Sequence, residues 1–143
     1  MMFADVRDPD GIRAVYAERG LLVTMIGPRP HLVTGGRFGL VAMPNRLGHR
    51  VIDALPVCGP VLGQPRSRRL AFVVASPAPD PPLALLHLLG LHAVVVVAPG
   101  RCVALPCHDG AGRSVLWVNE PRRDAAAPRE AVIIDVALRL AQG

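Results

Sequence analysis

The 143 residues suffice for one domain with a sizeable core, and 51% hydrophobic residues with a mean hydropathy of +0.37 exclude a disordered chain despite 15 Pro and 14 Gly. All 16 basic residues are Arg against 11 acidic ones, a net charge of +5 that favours polyanionic partners. The lack of Lys beside abundant Ala, Pro and Gly fits a GC-rich genome, so the choice of Arg over Lys carries no functional weight by itself.

Asp8-Pro9-Asp10 followed by GIRAVYAERG predicts a capped short helix with Ile12, Val15 and Tyr16 on one face and Gly20 as its stop. LLVTMI (21–26) predicts a strand ended by the breaker GPRP. HLVTGGRFGLVAM then gives two β-prone runs with a tight connection at Gly35-Gly36. Pro44-Asn45 opens a second helix, RLGHRVIDAL, whose Leu47, Val51, Ile52 and Leu55 recur at helical spacing before Pro56.

CGPVLGQPRSRR reads as a basic loop leading into LAFVVA (70–75), a buried strand. SPAPDPP is a Pro-rich connector that cannot continue a sheet. PLALLHLLGL predicts a short apolar helix, with His87 packed or hydrogen-bonded at the edge of the core. HAVVVVA and RCVAL flank Pro99-Gly100, which suits the centre of a type II turn and predicts a hairpin or tight strand pair. VLWV is a further strand, PRRDAAAP a linker, and PREAVIIDVALRL an amphipathic closing helix. The expected fold is α+β: one mixed, largely antiparallel sheet with helices packed on it, in a single compact domain over 1–143.

The apolar tract Leu83–Ala98 is broken by His87, Gly90 and His92. It falls short of the roughly 18–20 apolar residues of a membrane span, so no membrane partner is expected. MMFADVRDPD has no basic region followed by an apolar one, which makes the cytoplasm the expected location. Three cysteines, an odd number, fit reduced thiols better than a disulfide framework.

Zinc wants closely paired ligands, whereas Cys102 and Cys107 lie five apart, Cys107 and His108 are adjacent, and Cys58 is distant. Neither a metal nor a cofactor is expected, and small apolar thiols are the simpler reading. A nucleophilic Cys107–His108 pair remains an outside alternative without an oxyanion-hole signature. GAGR (110–113) lacks a P-loop ending. His31, His49, His87, His92 and His108 are scattered, and Asp53 and Asp135 have no second carboxylate nearby. QPRSRR places Arg66, Arg68 and Arg69 ahead of a strand, and Arg122 and Arg123 follow Trp117. If the two loops meet, they form a patch able to hold phosphates. With only 3% aromatic residues a stacking platform for single strands is thin, and Trp117 is expected in the core.

TGGRFGLVAMPNRLGHRVIDAL, GPVLGQPRSRRLAFVVAS and PGRCVALPCHDGAGRSVLW, in that order, resemble the N-terminal domain of bifunctional DNA primase/polymerase proteins of the archaeo-eukaryotic primase superfamily. The resemblance spans roughly Leu32 to Trp117 through short, degenerate motifs. Thr34-Gly35 matches the family's turn, Leu40 to Pro44 its metal-binding strand, Arg69 to Phe72 its His strand, and Gly100 to Pro106, His108, Gly112 and Trp117 its last block. Ala42, Met43 and Pro44 stand where the metal carboxylates belong, and Arg69 where the catalytic His belongs. Two-metal nucleotidyl transfer needs those carboxylates, so the resemblance implies a catalytically silent relative. It implies DNA, RNA or nucleotide as partner, held by Arg66, Arg68, Arg69, His108 and Arg113. The alternative is a non-enzymatic regulatory module whose partner is another protein.

Overall fold

The computed structural model describes residues 2–4, 6–75, 81–107 and 115–143. Helix α1 (Pro9–Glu18) starts as the sequence predicts: the Asp8 carboxylate accepts from the Gly11 N–H and Pro9 occupies the first turn, where its missing N–H costs nothing. The chain then forms β1 (Thr24–Ile26), β2 (Arg29–Val33), β3 (Phe38–Pro44), α2 (Asn45–Ala54), β4 (Val61–Gln64) and β5 (Arg69–Ala75). There follow α3 (Leu83–Leu91), β6 (Val95–Val96), β7 (Cys102–Ala104), β8 (Leu116–Asn119) and α4 (Glu130–Gln142).

The α+β class holds, but the strands are divided between two sheets, of order β1-β2-β7 and β6-β3-β5-β4-β8. All their pairings are antiparallel. The larger sheet is apolar on both faces because both are covered. Val41, Met43, Val61, Leu70, Phe72 and Val74 pack with Leu47 and Val51 of α2, Leu89 of α3 and Ile133 and Ala137 of α4. On the opposite face Leu40, Ala42, Leu62, Ala71 and Val73 meet Ile12 and Tyr16 of α1 and Leu32 of β2. Three layers result: helices, the five-stranded sheet, and α1 with the small sheet.

Several expected elements differ. LLVTMI is a strand only at 24–26, and GPRP is not a mere breaker: Gly27, at φ +60°, and Pro28 turn β1 into β2, with Ile26 opposite Arg29. CGPVLGQ, read as loop, contains β4; Gly63 there lets β8 approach, since a Cβ would lie 3.0 Å from Val118 Cγ2 and 3.2 Å from Leu116 Cδ1. A bare backbone at that position reads as loop from sequence and acts as a contact surface in the sheet.

The Gly35-Gly36 and Pro99-Gly100 connections do not close hairpins; each carries the chain between the two sheets. They run side by side, with a Cβ on Gly35 (φ +100°) falling 2.6 Å from Pro99 Cβ. Buried Thr34 clasps them. Its hydroxyl donates to the Ala98 carbonyl at 2.7 Å and accepts from the Arg101 N–H at 3.0 Å, while Gly100 N–H donates to Thr34 O at 2.8 Å.

Tyr16, fully buried, ties α1 to both neighbours: its hydroxyl donates to the Pro106 carbonyl and accepts from Trp117 Nε1 at 3.0 Å. Burial drives its ionisation well above the ordinary tyrosine value.

Candidate anion-binding end of the five-stranded sheet

Antiparallel pairing brings the end of β3 and the start of β5 together, with Pro44 opposite Arg69 and Gln64 opposite Arg69 on the other side. The loop between β4 and β5, residues 65–68, is exposed. It is shaped by Ser67 N–H donating to Gln64 O at 3.2 Å and Arg68 N–H donating to Pro65 O at 3.3 Å. Arg68 sits at φ 55°, a left-handed conformation that glycine adopts more readily. Its carbonyl accepts from the Asn45 N–H at 3.0 Å, which fastens the loop to the start of α2.

Arg46 lies one residue further, exposed, in the first turn of α2. That turn has no acidic residue and no side-chain cap, so the positive end of the helix dipole is uncompensated there. Half-buried Arg69 spans the end of the sheet, its Nη2 donating to the Ala93 carbonyl at 2.6 Å. One end of the sheet thus gathers Arg46, Arg66, Arg68 and Arg69, and none of the four is in an ion pair among the described residues.

The loop carrying Arg122 and Arg123 does not meet the 65–68 loop, so the condition for a joint patch is not fulfilled. Strand β8 runs from Leu116 opposite Gly63 to Asn119 opposite Val61, so the residues after it leave at the far end of β4 from the 65–68 loop. There Arg122 pairs with Asp124 at 3.4 Å, Arg123 with Glu18 at 3.9 Å, and Arg19 with Glu120 at 3.6 Å. Every guanidinium of that corner has a carboxylate. The two arginine groups differ in what they offer a ligand, and only the first is unneutralised.

His108 and Arg113 lie outside the described residues. Arg46 escaped sequence reasoning, although its place just inside a helix opened by Pro44-Asn45, with no acidic neighbour, is a readable signal. Where the primase/polymerase resemblance would put metal carboxylates, Ala42 and Met43 are buried apolar residues and Ala42 faces Ala71 across the pair. Among the described residues no group of three His, Cys, Asp or Glu could hold a metal ion. His87 is exposed on α3 rather than packed at the core edge, and Asp53 and Asp135 are exposed. Trp117 packs against the core beside Tyr16, as expected.

The cysteines are all free. Cys58 is buried, with Asn119 Nδ2 donating to its sulfur at 3.4 Å, and burial pushes its thiol pKa up. Cys102 is exposed on β7 and Cys107 is half-buried. No helix among the described residues is long and apolar enough to cross a membrane. No family model, no curated protein and no solved structure matches the chain.

Proposed function

We propose that this chain is a non-enzymatic, degenerate primase/polymerase-like binding domain that holds the phosphate backbone of nucleic acid at the arginine end of its five-stranded sheet. The observation that carries this reading is the contrast between the sheet's two ends: Arg19, Arg122 and Arg123 are neutralised by carboxylates, whereas Arg46, Arg66 and Arg68 have none among the described residues. Guanidinium groups left in water beside a helix N-terminus form a phosphate-binding surface. Keeping Arg at position 68, where φ 55° suits glycine, supports a use for its side chain. Catalytic silence is supported by buried Ala42 and Met43 in the strand where carboxylates would be needed. Contacts of this kind position a ligand without reading bases, so sequence preference is expected to be weak.

Fluorescence anisotropy with labelled single-stranded and primed DNA tests the reading. Four phosphate contacts on a single strand give a log–log salt slope of about −3. The Arg66→Ala/Arg68→Ala/Arg69→Ala variant should abolish measurable binding at near-physiological salt and reduce the slope to about −1. Absence of binding by the native chain at low salt would refute the proposal and favour the alternative, a regulatory module whose partner is a protein.

A further inference from the structure

Helix α3 is out of keeping with its surroundings. Its sequence, LALLHLLGL, carries no Arg, Asp or Glu and places apolar residues all round, with His87, on the exposed side, its one polar side chain; such a pattern is usual for a helix enclosed by protein or lipid. Yet Leu89 is its only buried residue, and Leu83 and Leu91 are 68% and 80% exposed. One side of α3 meets the sheet through Leu89 and Leu85, and the other is left in water beside the edge strand β6. The chain leaving α3 passes through Ala93, whose carbonyl accepts from Arg69. Exposed Leu91 therefore stands at the same end of the sheet as the arginines.

We infer that this end docks on an anionic lipid surface, with the outer leucines of α3 entering the bilayer interface while Arg46, Arg66 and Arg68 contact phosphate head groups. The inference rests on the anion-binding reading of those arginines and adds an apolar component to it. Charge complementarity and exposed leucine occur at one place, and a bilayer offers both an anionic plane and hydrocarbon beneath it. Nucleic acid engages the same guanidinium groups without using the leucines, so the leucines are what distinguish lipid docking from nucleic-acid binding at this end. A second copy of the chain would set like charges against each other. A nine-residue helix, about 13 Å long and about 10 Å wide, also presents only roughly 130 Å² on one side, short of the roughly 800 Å² per partner that a stable dimer buries. The exposed residues of α3 include no aromatic anchor of the kind on which protein interfaces depend. Docking of this kind needs no membrane span.

Co-sedimentation of the full chain with phosphatidylcholine vesicles, with and without phosphatidylglycerol, tests the inference beside DNA anisotropy. Binding should require phosphatidylglycerol. Arg66→Gln and Arg68→Gln should each weaken it about fivefold, and Leu83→Gln/Leu91→Gln should weaken it by about tenfold or more with the unfolding midpoint and DNA binding unchanged. Equal binding to pure phosphatidylcholine, or vesicle binding untouched in the leucine variant, would overturn the inference. So would a dimer of the native chain that the leucine variant loses, since a second copy would then cover α3. Retained DNA binding without vesicle binding defeats the lipid inference alone, whereas loss of both defeats the arginine reading beneath it.

Discussion

Replacing Tyr16 by Phe removes one oxygen atom from a fully buried position and should cost far more than a surface change. The ring stays, with its edge contact to Phe3 at 5.4 Å between centroids and its tilted contact to Trp117 at 6.2 Å. The loss is the hydroxyl's two hydrogen bonds, which leaves the buried Pro106 carbonyl and the part-buried Trp117 N–H without that partner. At roughly 1 kcal/mol for each group deprived of its bond, the variant should be destabilised by about 2 kcal/mol, or about 8 °C in Tm for a domain of this size. Urea unfolding followed by Trp117 fluorescence measures this directly, since Trp117 is the only tryptophan and touches the altered group. Tyr16→Leu should lose the ring packing too, for about 4 kcal/mol in total. A Phe variant within about 0.5 kcal/mol of the native chain would refute the view that this hydroxyl holds α1 to β8 and the 105–107 segment.

The same tyrosine sets an alkaline limit. Its folded-state pKa is raised above the ordinary value near 10 by burial, so above that pH the unfolded chain carries fewer protons than the folded one and stability falls; below it the contribution is complete. A urea-midpoint series across that pH should show a steeper alkaline decline in the native chain than in Tyr16→Phe. Arg68→Gly should relieve the left-handed strain and raise stability by about 1 kcal/mol while weakening DNA binding, with unfolding and anisotropy measured on one preparation. Gly59 has φ +67°, and a Cβ would lie 2.6 Å from Pro128 Cδ; Gly59→Ala should therefore cost about 2 kcal/mol by the same unfolding assay. With a thiol reagent in native buffer, exposed Cys102 should react fast and Cys58 only on unfolding, its buried thiol resisting ionisation; mass spectrometry of timed samples reads the order.

Elements with strong local signals were legible in the sequence. Asp8 with Pro9 announces α1, the spacing of Leu47 and Val51 announces α2, and the short apolar run LAFVVA at 70–75 announces a buried strand. The allocation of strands to sheets was not legible, because Gly35-Gly36 and Pro99-Gly100 have the composition of hairpin turns and their use as crossings depends on distant Thr34. Strand β4 was hidden by Gly63 and its flanking prolines, whose value lies in what they let approach. The arginine end was half legible: Arg66, Arg68 and Arg69 stand together in sequence, while Arg46 joins through the Asn45–Arg68 bond. Whether Arg122 and Arg123 would join them was left open by the sequence; antiparallel β8 carries them to the opposite end.

The Thr34 clasp also bears on how the chain reaches this structure. β2 and β7 are direct antiparallel neighbours, with Val33 opposite Cys102, so everything from β3 to β6 is in effect an insertion in a hairpin whose neck is Thr34 and Arg101. Closing a neck across an unstructured segment of that length is entropically costly, and such non-local pairings form slowly. The cost falls once the insertion has folded, because β3 and β6 are themselves paired through Val41 and Val96 and deliver both sides of the neck to one place. The expected order of folding is therefore from the inside outward: the four strands of the insertion assemble first, and β7 closes on β2 behind them.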